Sequence, residues 1–171
     1  MSEIPTLDYF GITPPVFIRK INNKNRWIKY DSTVQDREKK IANDVFNNQI
    51  CSLYRVESNE DFYGFVASIS SKRSPQNQNI DFIWMTKNDL DTVNIKYQKI
   101  LEGDCLAAQH LHYNAAITKE QAISLCSRLI KRNQEPLRSK KKQTALILQH
   151  QAKKGCIAVT KNSPCQYHLC C

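Results

Sequence analysis

Nine basic side chains gather within 27 positions: Arg128, Lys131, Arg132, Arg138, Lys140, Lys141, Lys142, Lys153 and Lys154. Gln143, Gln149, His150 and Gln151 are interspersed among them. Lysine and arginine neutralise phosphates, and a glutamine amide can read a base edge through paired hydrogen bonds. That chemistry points to a polyanion, either nucleic acid or an acidic protein. The competing reading is a solvated helix face on which Lys153 and Lys154 complement the C-terminal dipole. Charge is segregated along the chain. Residues 1–118 hold 14 basic and 14 acidic side chains, whereas residues 119–171 hold 11 basic and two acidic, so the whole net charge of +9 lies in the last third.

The end of the chain is rich in soft ligands. Cys156, Cys165, His168, Cys170 and Cys171 follow a Cys-x8-Cys-x2-His-x-Cys-Cys pattern, with donors of the kind that hold zinc. Zinc sites usually take two ligands from one tight turn, and only Cys165 with His168 has that separation. Buried or loose thiols are the alternative. The Cys170-Cys171 pair also resembles the double-cysteine end that is geranylgeranylated in Rab-type GTPases. Together with the upstream lysines, that resemblance implies a peripheral membrane contact. Cys105, His110 and His112 form a third grouping. Alternation would put both imidazoles on one face of a strand, whereas a helix would turn them about 200° apart.

Ser52-Leu53-Tyr54-Arg55-Val56-Glu57-Ser58 resembles the strand that opens the fold of cholera- and pertussis-type ADP-ribosyltransferases, in which an Arg after Leu-Tyr orients NAD. The resemblance implies an NAD-contacting role for Arg55. Ser68-Ile69-Ser70 is the sole counterpart of that family's Ser-Thr-Ser strand, and no Glu-x-Glu or Gln-x-Glu follows to supply a catalytic carboxylate. On the residues alone, Arg55 faces solvent or pairs with Glu57.

Other chemistries are excluded by what is missing. The four glycines, Gly11, Gly64, Gly103 and Gly155, are scattered, so no loop cradles phosphate in the Walker or Rossmann manner. The nucleophile-elbow and two-histidine zinc-protease patterns are absent as well. The longest apolar runs are four residues, as in Phe82-Ile83-Trp84-Met85 and Ala145-Leu146-Ile147-Leu148, far too short to cross a bilayer. The start of the chain lacks a signal-peptide core, and seven cysteines make an odd total, which together suggest a reducing cytoplasm. Cys51 and Cys126 sit in apolar patterns and read as small core residues.

These groups must be positioned by regular elements. Val16 to Ile21 and Arg26 to Tyr30 flank Asn22-Asn23-Lys24-Asn25 and suggest a hairpin, on which an outward Trp27 beside Arg26 and Lys29 could stack on a base. Asp31 or Ser32 would cap a helix to about Asn47 with Val34, Ile41 and Val45 inward. Ile50 to Val56 reads as a strand. Asn59 would cap a helical stretch carrying Phe62, Phe65, Val66 and Ile69, followed by a polar loop over residues 70–79. Ile80 to Met85 is a further strand, with Thr86 capping the next turn. Residues 92–116 are ambiguous between element types, though Ile100, Leu101, Leu106 and Leu111 suggest helix.

The clearest helix covers 119–132. Thr118 and Gln121 form a capping box, and Ala122, Leu125, Cys126, Leu129 and Ile130 share one face. A break at Asn133-Gln134-Glu135-Pro136 precedes a basic helix over 139–154, ended by Gly155. Residues 156–171 would form either a short hairpin around Asn162-Ser163-Pro164 or a loose tail.

The expected fold is therefore α+β: a small antiparallel sheet with helices on one face, followed by a basic helical part. Its divisions are a charge-neutral core (1–118), a basic helical pair packed on or extending it (119–155) and a Cys-rich tail (156–171). The expected function is a non-enzymatic binding or adaptor protein that meets a polyanion through the basic pair. The alternatives are an NAD-binding domain centred on Arg55 and a protein–protein adaptor using the apolar face of helix 119–132.

Overall fold

The computed structural model describes residues 3–30, 33, 35–46, 50–71, 78–100, 106–155, 157–159 and 167–169. The fold is α+β, built on a six-stranded antiparallel sheet. Its strands are β1 (Val16–Ile21), β2 (Ile50–Val56), β3 (Ile80–Met85), β4 (Lys96–Lys99), β5 (His112–Ala116) and β6 (Leu137–Ser139), in the spatial order β4-β5-β2-β1-β3-β6. The helices are α1 (Lys24–Ile28), α2 (Arg37–Val45), α3 (Asn59–Ser71), α4 (Lys87–Thr92), α5 (Leu106–Gln109), α6 (Lys119–Lys131) and α7 (Lys141–Lys153). Strands β7 (Ile157–Val159) and β8 (Tyr167–Leu169) pair separately as an antiparallel ribbon, which matches the expected terminal hairpin. The turn residues Asn162, Ser163 and Pro164 lie outside the described residues.

Helices cover both faces of the sheet, not one. Phe17, Ile21, Leu53, Ile83 and Met85 point to a core closed by α1, α2, α4 and α6. Their neighbours Val16, Ile18, Tyr54, Val56, Ile80 and Phe82 point the other way, to a core closed by α3, α5 and α7. Side chains alternate along a strand, so two-sided burial demands apolar residues at successive positions. The runs Val16-Phe17-Ile18 and Phe82-Ile83-Trp84-Met85 meet that demand.

Several local expectations change. Residues 26–30 form no second strand, because Asn23 caps α1 by accepting the Asn25 N–H at 2.8 Å, and Asp81 Oδ2 accepts the Lys24 N–H at 2.9 Å. Trp27, 2% exposed, is a core side chain and not a stacking platform. Helix α2 starts at Arg37, while Asp31, Ser32, Val34 and Asn47 lie outside the described residues. Ser58, not Asn59, caps α3: its Oγ accepts the Asp61 N–H at 3.2 Å, leaving Asn59 Oδ1 to hold the Leu7 N–H at 2.8 Å. That helix runs on to Ser71, into the stretch expected to be loop; residues 72–77 are outside the described set.

Among its described residues, the segment 92–116 holds strands β4 and β5 and the short helix α5, since β5 pairs with β2 and β4 closes the sheet beside β5. Capping boxes open α4 at Thr86 with Asp89, and α6 at Thr118 with Gln121. Between α6 and α7, β6 adds an edge strand after the expected break.

Candidate functional site

Strand registers define two ends of the sheet. At one, β1 stops at Ile21, β2 starts at Ile50, β3 starts at Ile80 and β6 stops at Ser139. Between the central strands this end is forked. The β1–β2 ladder runs from Val16↔Val56 to Ile18↔Tyr54 and goes no further, while β1 stays paired with β3 to Ile21 and β2 stays paired with β5 to Ile50. Arg19 sits in the fork. Its Nε donates to the Val45 carbonyl at 3.0 Å, its Nη1 donates to the Ser52 carbonyl at 3.4 Å, and its Cζ lies 5.4 Å from the centre of the Phe46 ring. Arg19 thus links the last carbonyl of α2 to a carbonyl of β2. Burial pushes its guanidinium below the usual value, and the nearby Cys51 sulfur opposes that shift only in part. A cleft of about 280 Å³ opens there, lined by Arg19, Lys20, Asn22, Asp44, Ser52, Tyr54 and Ile69 among others.

The nine basic residues singled out by the sequence do not form one patch. Helix α6 lies on one face and α7 on the other. Lys141 and Lys153, the two ends of α7, are about 18 Å apart at 1.5 Å rise per residue. Four of the nine are paired with acids of the neutral first part. Arg132 Nη2 lies 2.9 Å from Asp89 Oδ2, and Arg128 Nη2 lies 3.6 Å from Asp89 Oδ1. Arg138 grips both oxygens of Asp81, at 2.6 and 2.8 Å. Lys154 Nζ lies 2.8 Å from Glu60 Oε2, and His150 Nε2 lies 2.9 Å from Glu60 Oε1.

Those contacts set the carboxyl groups. Burial pushes Asp89 up, but the Thr86 N–H and hydroxyl, with Arg132 alongside, outweigh it and hold the group below the usual carboxylate range. Asp81 is likewise raised by burial and brought below its ordinary value by Arg138 and the Lys24 N–H. Glu60 follows the same pattern, burial being overcome by Lys154 and His150.

The remaining five, Lys131, Lys140, Lys141, Lys142 and Lys153, are exposed and make no side-chain ion pair among the described residues. Three of them stand together. Lys140, Lys141 and Lys142 open α7 directly after β6, at the forked end, where the Lys141 N–H is tied to Asn79 Oδ1 at 2.8 Å. Lys96 at the start of β4 and Lys119 at the start of α6 belong to the same end and are exposed.

Arg55 lies at the opposite end. Its Nη2 is 2.6 Å from Glu57 Oε1, the pairing expected from its residues alone. The cleft beside it, about 240 Å³, is also lined by Glu57, Asp61, Lys99 and His110, so two carboxylates share that cleft with Arg55. His110 precedes β5 and approaches Asp61 Oδ1 at 3.4 Å, while His112 stacks on Tyr54 with ring centroids 5.1 Å apart. The two imidazoles are thus held by different partners; Cys105 lies outside the described residues. The apolar face of helix 119–132 is buried against α2 and the sheet through Ala122, Leu125, Cys126 and Leu129, which removes it as an adaptor surface.

Cys51 and Cys126 are buried, as expected, and burial pushes both thiols up. Cys156, Cys165, Cys170 and Cys171 lie outside the described residues, as does the side chain of His168. Among the described residues, no three His, Cys, Asp or Glu side chains converge as metal ligands, and no helix is long and apolar enough to cross a membrane.

Arg19 was not among the candidate residues. Its signal was available: a charge inside the otherwise apolar run Val16-Phe17-Ile18-Arg19. Compared with protein-family models, curated proteins and solved structures, the chain matches none.

Proposed function

We propose that this chain is a binding or adaptor protein that holds a polyanionic partner against the forked end of its sheet, with Lys140, Lys141 and Lys142 as the principal contacts. One observation carries the reading. Cations toward the opposite end are largely matched by acids (Arg128 and Arg132 by Asp89, Lys154 by Glu60, Arg55 by Glu57), whereas the three lysines opening α7 have no acid partner among the described residues. Exposed unpaired lysines are kept apart by their mutual repulsion, and a polyanion relieves it while releasing its own counterions. Lys96 and Lys119 extend the row along the sheet end. Neighbouring strands lie about 4.8 Å apart, so the six-stranded edge spans roughly 24 Å, enough for several successive charges of a polymer.

The test is binding of a fluorescent single-stranded oligonucleotide and of poly-glutamate across a salt series. Tight binding at low salt should weaken linearly in log–log form, with a slope near −0.7 per phosphate contacted on the single strand. The K140E/K141E/K142E triple variant should lose most of the affinity, and K131E/K153E should lose little. Preference between the two polymers separates nucleic acid from acidic protein as the partner. No binding to either polymer at low salt, or equal effects of the two variants, would overturn the proposal.

A further inference from the structure

Among the described residues, the cation in the fork forms no ion pair. Arg19 is 8% exposed. Its hydrogen-bond partners are two carbonyls and its third neighbour is an aromatic face, all of which carry only partial negative charge. Among the described residues it forms no ion pair, with Asp44 at the cleft wall included. A buried charge normally requires a full counter-charge, because carbonyl dipoles replace only part of its hydration. Guanidinium has five N–H donors, and the Val45 and Ser52 carbonyls take one from Nε and one from Nη1. Nη2 and the second Nη1 N–H remain, and these two nitrogens form the edge that grips a carboxylate in bidentate fashion.

The cleft supplies room beside that edge. Among the described residues its lining carries Arg19, Lys20 and Asp44, and the two Nη nitrogens of one guanidinium match the two oxygens of one carboxylate. Asn22, Ser52 and Tyr54 add hydrogen-bonding groups, and Ile69 adds an apolar wall. A volume of about 280 Å³ lies at the lower edge of small-molecule pockets, metabolite-sized and too small for a dinucleotide.

We propose that the fork between β1 and β2 is a binding site for a small ligand carrying a single carboxylate, which the free edge of Arg19 holds. This site is independent of the lysine row, since it needs neither Lys140–Lys142 nor a polymer.

The experiment uses the full chain labelled with 15N, titrated with sodium acetate while sodium chloride keeps the ionic strength constant. The readout is the Arg19 guanidinium N–H resonances. A saturable shift is expected for Arg19 and not for Arg55, whose guanidinium is already paired. Ser52→Trp, which fills the cleft from an exposed position on β2 and leaves the Ser52 carbonyl in place, should weaken the response at least tenfold with the melting temperature unchanged. Asn22→Trp fills the cleft from the opposite wall and serves the same purpose should the first variant not fold. A non-saturating shift shared by Arg55, or an unchanged response in a folded cleft-filling variant, would overturn the site. Saturation by methyl phosphate at lower concentration than by acetate would overturn the carboxylate assignment.

Discussion

Asp89 is one of the points at which the basic C-terminal part is tied to the neutral first part, so removing its carboxylate is a direct test of the packing. The side chain is fully buried. It accepts the Thr86 N–H and the Thr86 hydroxyl, both at 2.8 Å, and Arg132 Nη2 at 2.9 Å. In Asp89→Ala the lost reciprocal cap costs about 1 kcal/mol. Losing the charge-assisted bonds costs a further 1.5–3 kcal/mol or so. Arg132 is 41% exposed and can be rehydrated, so the lower part of that range applies and the expected total is about 3 kcal/mol. For a chain of this size the melting temperature should fall by roughly 6–12 °C. Asp89→Asn keeps an acceptor for the cap and should lose about half as much.

Acid supplies a second arm of the same test. The folded carboxyl titrates below its unfolded value, so its contribution is complete above about pH 4 and is lost as pH falls through the folded value. Urea denaturation of wild type and Asp89→Asn should therefore converge toward pH 2. A loss under about 1 kcal/mol for Asp89→Ala, or acid profiles that stay parallel, would refute the assigned role of this buried carboxylate.

Other outcomes follow from the remaining contacts. Asp81→Ala removes the bidentate grip on Arg138 that pins the three-residue strand β6, so amide exchange at Ser139 should accelerate at least tenfold while β2 and β5 stay protected. Glu60 sits below its ordinary value beside Lys154 and His150, so the tie between α3 and α7 should hold above the unfolded glutamate value and weaken as pH falls through the folded one. Glu60→Gln should flatten that acid response, read as the melting temperature between pH 6 and 3. Burial pushes the Cys126 thiol far up, so a disulfide reagent should label it only as fast as the protein unfolds, with the rate rising steeply in urea.

Local signals placed many of the elements. Strands β1, β2 and β3 and helices α6 and α7 were legible because hydrophobic periodicity and capping residues act over a few positions. The Thr118–Gln121 capping box formed as its spacing requires. The stretch 92–116 misled, because its leucines suit a helix as well as a loop beside strands, and pairing with β2 decided the outcome. Arg26 to Tyr30 misled for a related reason. Its aromatics fit a strand, but Asn23 and Asp81 together cap a helix, and Asp81 is 57 residues away from Lys24.

The candidate site divides in the same way. The sequence by itself determined that every unit of excess positive charge lies after residue 118, because charge is a sum over residues and needs no geometry. Tertiary structure decided which of those charges remain available. Arg128, Arg132, Arg138 and Lys154 are matched by Asp89, Asp81 and Glu60, acids brought to them from the neutral part by the packing of α6 and α7 on opposite faces. Lys140, Lys141 and Lys142 follow the last strand of the sheet and meet no such acid among the described residues. The fork at Arg19 is likewise a tertiary product, since the parting of β1 and β2 depends on where α2 delivers its terminal carbonyl. Ion pairs and clefts join residues tens of positions apart, and only the folded chain sets those distances.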